Sequence, residues 1–337
     1  MQENNYKKKV LDAEVCRALS DPVVFADLFN GTVFDGEQII KPETLRPSGE
    51  KQAYKRSKGR DSEMVNRIRD VKMVRYNPSN QPDLILALEA QREIHLGMPV
   101  RVMTYDALDY SEQIHQLDRK HRKNGTLKSS MEFLSGMKTN ERLLPVLTTV
   151  FYYGNNEWTK PLCLNEVTCL PKDVQPWKDK FADYKINLAT CENVDSDNFQ
   201  TGLKDVFELL NVAKNKNELR KFLAANRTYY SSLSKEKMDL VSVFLDIPTM
   251  RENPEKYINE IGGGYNMCIA IEEMVQEGRQ EGRQVGIQEG RQEGELWGEK
   301  RYNLLVKKLL KDRRLGELEK IVNDEDYRKR MYEEYNL

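Results

Sequence analysis

Apolar residues at Val10, Val15, Leu19, Val24, Phe25, Leu28 and Phe29 recur near a 3.6-residue period. That spacing predicts a helix over residues 10–30, split in two at Pro22 and capped at Gly31. Residues 35–62 are polar and basic and read as a loop with a short helix. Ile68, Val71, Met73–Arg75 and Tyr76 are apolar or β-prone and stop at the turn cluster Asn77-Pro78-Ser79-Asn80, while residues 84–89 form a short apolar run after Pro82. The pair reads as a hairpin, its second strand buried on both faces. Residues 98–118 have helical spacing and start with Pro99 in the first turn. Residues 143–153 predict a third strand, and residues 184–188 a short edge strand. Three helical stretches are expected over residues 200–246.

The last third changes character. Gly278, Gly282, Gly286, Gly290, Gly294 and Gly298 recur every fourth residue among Glu, Gln and Arg. Each glycine costs a helix roughly 1 kcal/mol against alanine, so six cost about 6 kcal/mol. Such a helix makes sense if the glycines let another backbone approach in self-association; the alternative is a low-complexity tether. Residues 301–335 regain apolar spacing and predict a small helical tail. The expected organisation is therefore a sheet-and-helix domain over residues 1–195, a helical extension packed on it over 196–270, the glycine repeat over 271–300, and the tail over 301–337.

Composition narrows the chemistry. The 337 residues carry a net charge of −1, with 32% charged and 39% hydrophobic positions. Basic charge is nonetheless local: residues 46–75 hold ten Lys/Arg against four Asp/Glu, and residues 119–128 hold five basic residues and no acid. Lys55, Arg56, Lys58, Arg60, Arg119, Lys120, Arg122 and Lys123 are the candidates for contact with a phosphate backbone, against the plainer reading of solvated surface. Five scattered cysteines lack a C-x-x-C pair, which argues against a disulfide framework or zinc site and favours a reducing cytoplasm. The N-terminus has no apolar stretch behind its charges, and the longest apolar run, residues 84–88, is too short to span a bilayer. Three histidines and no G-x-S-x-G elbow leave a triad hydrolase without support. Gly262-Gly263-Gly264 lacks the lysine of a P-loop.

Asp70 and Glu89 stand out, one in each strand of the expected hairpin. Gln91 shares the face of Glu89 because side chains alternate along a strand. Two carboxylates and the Ala90 backbone carbonyl would make an all-oxygen site suited to Mg²⁺ or Mn²⁺. Such an ion polarises a phosphate and acidifies a bound water, the chemistry of phosphodiester hydrolysis. The plain alternative is a pair of solvated acids at strand ends.

The stretches Arg69-Asp70-Val71, Leu88-Glu89-Ala90-Gln91, Met98-Pro99-Val100-Arg101-Val102-Met103 and Tyr105-Asp106 resemble the core of the Rpn family of recombination-promoting nucleases and transposase-like proteins, within the PD-(D/E)xK nuclease superfamily. Ala26-Asp27-Leu28-Phe29-Asn30 is similar to that family's N-terminal helix motif. Val150-Phe151-Tyr152-Tyr153-Gly154 with Trp158 is similar to its strand and Y-x-G…W segment, and the Glu-Gly repeat resembles its tails. The resemblance implies an α/β restriction-endonuclease-like core, a mixed sheet flanked by helices, and Mg²⁺-dependent DNA cleavage tied to recombination of mobile elements. It implies that Asp70 and Glu89 are the acidic ligands and that Gln91 stands where the superfamily usually has lysine. Glutamine holds water but brings no charge, so slow turnover is expected. Asp27 is an accessory candidate from the first helix, against a surface carboxylate. Arg101 is favoured over Arg69 for a phosphate, because Arg69 alternates away from Asp70. Two other readings stand beside the enzyme: an idle DNA-binding protein on the same fold, and a self-associating structural protein built on the glycine helix.

Overall fold

The computed structural model describes residues 2–48, 53–55, 64–66, 69–259 and 263–337. The chain divides into two units, Met1–Ala270 and Ile271–Leu337.

Two helices open the first unit. Asp21 separates α1 (Gln2–Leu19) from α2 (Pro22–Val33), its carboxylate accepting the N–H groups of Val23 and Val24 at 2.7 and 3.4 Å, with Pro22 in the first turn. The division at Pro22 is the expected one. Gly31, expected as a cap, lies inside α2 instead. A Cβ there would fall 2.3 Å from the Phe199 ring, so the glycine seats that ring.

The sheet follows. Strands β1 (Leu45–Pro47), β4 (Val71–Tyr76) and β5 (Pro82–Gln91) are antiparallel neighbours, and β6 (Val146–Tyr152) and β7 (Asn187–Ala189) continue it in parallel, in the order β1-β4-β5-β6-β7. A separate ribbon pairs β2 (Ala53–Lys55) with β3 (Met64–Asn66). The β4–β5 turn closes with Asn80 in the left-handed region (φ +55°) and the Asn77 side chain accepting the Gln81 N–H at 3.0 Å. Central β5 is buried on both faces from Ile85 through Glu89, which explains its apolar run. The edge strand starts three residues later than expected. Tyr184 and Ile186 instead exchange backbone hydrogen bonds with Leu164 and Leu162, an antiparallel return that leaves only Asn187–Ala189 for β6.

Helix α3 (Met98–Asn124) makes the β5-to-β6 crossover, ending at Gly125 in the left-handed region. Its Met98 and Val102 pack with Val150, Tyr152, Trp158 and Ile186 on one sheet face. Helix α4 (Ser130–Ser135) follows with a capping box between Ser129 and Glu132. The opposite face is covered by α5 (Leu203–Ala213) and α8 (Lys235–Phe244), whose Phe207 and Phe244 each lie 5.1 Å from the Phe151 ring. Helices α6 (Lys216–Ala225), α7 (Arg227–Tyr230) and α9 (Pro248–Glu252) complete this side. The unit is thus α/β with a five-stranded mixed sheet carrying helices on both faces.

Helix α10 (Met267–Lys311) contains all six repeat glycines. In the second unit, Leu305, Leu309, Ile321 and Met331 form a small core with α11 (Leu318–Asn323) and α12 (Glu325–Glu334). Among the described residues no helix is long and apolar enough to cross a membrane.

Gly31→Ala tests the seat at α2. Phe199 is buried and stacked on Phe207 at 4.6 Å, so the ring has no room to retreat. The substitution is expected to cost about 1–3 kcal/mol in urea unfolding, and an unchanged midpoint would show that the contact relaxes freely.

Candidate metal centre

The hairpin register builds the site. Val71 pairs with Leu88, which sets Asp70, the residue before β4, opposite Glu89. The Asp70 carboxylate accepts the Ala90 N–H at 2.8 Å. Glu89 pairs with Val150 across the parallel ladder and so projects to the α3 face. There the first turn of α3 brings Arg101 Nη2 to 2.9 Å from Glu89 Oε2, an ion pair. Glu89 is 0% exposed, and the Arg101 guanidinium is the cation beside its carboxylate. Such a carboxylate is costly unless a cation accompanies it.

A cavity of about 230 Å³ opens beside it, lined by Asp70, Ala90, Gln91 and Arg92 at the sheet end, Arg101 from α3, Tyr153 after β6, and Asp12 and Cys16 from α1. Glu89 lies behind this wall. Electrostatics follow from the geometry. Burial, then the neighbouring Asp70 charge, pushes Glu89 up to about 8, against the pull of Arg101 and Arg69. Burial raises Asp70 as well, opposed by the Ala90 N–H and Arg101. Burial and Asp70 lift the Cys16 thiol to about 11, so it is a protonated wall residue and a poor nucleophile.

The donor set fits a hard divalent cation. Two neighbouring carboxylates, both raised by burial, are what a cation would relieve; Asp70 and Ala90 line the cavity, and Glu89 stands next to them in the chain and the hairpin. Among the described residues no cluster of three His, Cys, Asp or Glu side chains forms a metal cage. Water and the Ala90 carbonyl would complete the shell, as Mg²⁺, which keeps several waters, readily accepts.

Other expected residues fall elsewhere. Asp27 is neither an accessory nor a surface acid. It is 4% exposed and accepts the N–H groups of Gln200 and Thr201 at 2.9 and 2.8 Å and the Thr201 hydroxyl at 2.6 Å, fixing the entry to α5. Arg69 does not follow the expected alternation: it and Asp70 both precede β4, and it lies on the α3 face, the side to which Glu89 projects. It is buried on Asp106, Asp109 and Thr148, with Lys72 on Asp109 at 2.9 Å and the Tyr184 hydroxyl on Asp106. Arg119, Lys120, Arg122 and Lys123 are exposed near the end of α3, but Arg119 lies eighteen residues beyond Arg101, about 27 Å along the helix. Arg119 pairs with Glu112 and Arg122 with Asp118. This patch is not brought to the cavity. Only the backbone of Lys55 is described, and Arg56, Lys58 and Arg60 lie outside the described residues. His95 and His115 are exposed, while His121 is buried against Thr126 and Glu141.

Asp12 and Cys16 are the site residues that the sequence did not single out. Their signal is modest: they share a helix side with Val15 and Leu19, three and four residues apart. No protein-family model, curated protein or solved structure matches the chain.

Two measurements test this placement. Folded Glu89 keeps its proton up to about pH 8, whereas the unfolded residue releases it near 4.5. Between these values the folded state holds the extra proton, so stability of the metal-free protein falls as pH rises from about 4.5 to 8 and then levels. Glu89→Gln is expected to flatten that part of the profile in denaturant titrations; an unaltered slope would place the proton elsewhere. Asp27→Ala is expected to lose about 1.5–3 kcal/mol while leaving Mn²⁺ binding unchanged by calorimetry, and a loss of metal binding would return Asp27 to the site.

Proposed function

We propose that the chain is a Mg²⁺- or Mn²⁺-dependent DNA endonuclease with a restriction-endonuclease-like core. The order of elements supports the fold reading: helices, an antiparallel β1/β4/β5 sheet, the α3 crossover, and the parallel strand β6. The observation that carries the activity is the pair Asp70 and Glu89, neighbours at the end of the β4–β5 hairpin, with Glu89 fully buried and its charge met by Arg101 at 2.9 Å. The family resemblance points to the same two residues.

Asp70 and Glu89 would hold the cation, whose chemistry when bound is to polarise a phosphate and acidify a water. Gln91, at the cavity wall, positions that water through an amide that can both donate and accept. Arg101 is the cation within reach of a phosphate in the cavity, and its guanidinium, 5.6 Å from the Tyr105 ring centre, has an aromatic face to rest on when it leaves Glu89. Asp12 adds negative charge at the mouth, which favours a cation and restricts where phosphates can enter.

The second reading is an idle DNA-binding protein on the same fold. Gln91 in the lysine position favours it, as does the engagement of Arg101 on Glu89.

Plasmid nicking in Mg²⁺ or Mn²⁺ decides between them. Asp70→Asn and Glu89→Gln should each reduce nicking by about 100-fold or more, with Ca²⁺ unable to support it. The metal requirement should also sharpen below pH 8, the apparent affinity falling about tenfold per unit as the proton competes for Glu89. Nicking that survives both substitutions contradicts the enzyme reading, and DNA binding with no nicking in any metal supports the idle one.

A further inference from the structure

We infer that α10 carries a surface for parallel self-association centred on Gly286, and that its occupant is a second copy of this chain. The inference is independent of the metal-centre reading.

On a helix, residues four apart form a row that drifts by about 40° per step. Three adjoining rows run along α10. One holds Val285, Glu289 and Glu293; the next holds the six glycines; the third holds Arg279, Arg283, Ile287 and Arg291. Every described residue from Gly278 to Lys300 is exposed. A Cβ at any of the six glycines would meet nothing within 4 Å, so the lone chain has room for alanine, the better helix former, at each. The glycines alone say little. The flanking rows identify what sits against them.

Suppose two copies meet along the glycine row. A two-fold axis parallel to the helices sets the Glu row of each copy against the Arg row of the other on both flanks. A two-fold axis perpendicular to them, the antiparallel case, sets Glu against Glu and Arg against Arg. The sequence is therefore complementary to itself only in the parallel arrangement. A second feature agrees. In the repeat around Gly286 both flanking rows turn apolar together, to Val285 and Ile287, exposed by 51% and 58%. Parallel pairing sets Val285 of one copy against Ile287 of the other. A dry centre bounded by opposite charges is the expected anatomy of such a contact.

The four-residue spacing also fixes the crossing. Packing along i±4 ridges inclines two helices by about 40–50°, so close approach is confined to a few turns around Gly286. By residue 298 the row has turned about 120° away. Glu295, which stands in the Arg row and breaks the charge pattern, lies in that departing part.

Sedimentation equilibrium of the full chain, with helicity followed by circular dichroism, is the test. The parent protein is expected to be a dimer. Arg291→Glu and Glu289→Arg should each weaken it by about tenfold or more, since two-fold symmetry counts each change twice. An equimolar mixture of the two should recover the parent affinity, because each altered residue then faces its complement. Gly286→Leu should give a monomer with undiminished helicity. A monomeric parent overturns the inference. So does a dimer indifferent to all three substitutions, and so does a Glu289→Arg dimer tighter than the parent, which would mark the antiparallel arrangement.

Discussion

Two carboxylates brought close to one another at the end of the β4–β5 hairpin, one of them fully buried, are the constraint around which the first unit is organised. Asp70 and Glu89 would repel one another freely in solution, and a flexible chain would keep them apart. Here the β4–β5 register places them opposite, the Ala90 N–H holds Asp70, and the α3 face buries Glu89 completely. The sheet thereby stores an unfavourable arrangement that a proton relieves, and that Arg101 relieves in part. Local destabilisation of this kind is common where a fold is shaped for a ligand rather than for its own stability.

The strain is tolerable because the neighbouring framework is stiff. Arg69, adjacent to Asp70 in sequence, is buried among Asp106, Asp109 and Thr148, which ties the start of β4 to α3 and to β6. Lys72 and Tyr184 join the same group. Breaking one partner of such a buried network leaves an uncompensated charge, so the network resists slippage of the register. The start of β4, next to Asp70, and the helix carrying Arg101 are thus locked together, through residues five and eight positions beyond Arg101 on α3. The other sheet face contributes differently, through apolar and aromatic packing of Phe151 against Phe207 and Phe244.

Much of this was legible in the sequence where the signal is local. Asn77-Pro78-Ser79-Asn80 marked the hairpin, and the run at 84–88 marked a strand buried on both sides. What escaped depends on contacts distant in sequence. Gly31 reads as a cap until Phe199, far along the chain, comes to rest on it. Asp27 reads as an accessory or surface acid until the backbone of Gln200 and Thr201 reaches it. Asp12 and Cys16 carry no motif, and only the packing of α1 brings them to the cavity. The basic residues near the end of α3 illustrate the converse: charge density was visible, but its separation from the site is a matter of helix length. The edge strand shifted because a loop competed successfully for the hydrogen bonds of Tyr184 and Ile186.

A crystal structure soaked in Mn²⁺ and read by anomalous scattering tests the central claim most directly. The account predicts one peak between the Asp70 and Glu89 carboxylates, with the Arg101 guanidinium withdrawn from Glu89 toward Tyr105. A lattice saturated with Mn²⁺ that shows no peak there, with Arg101 still resting on Glu89, would contradict it.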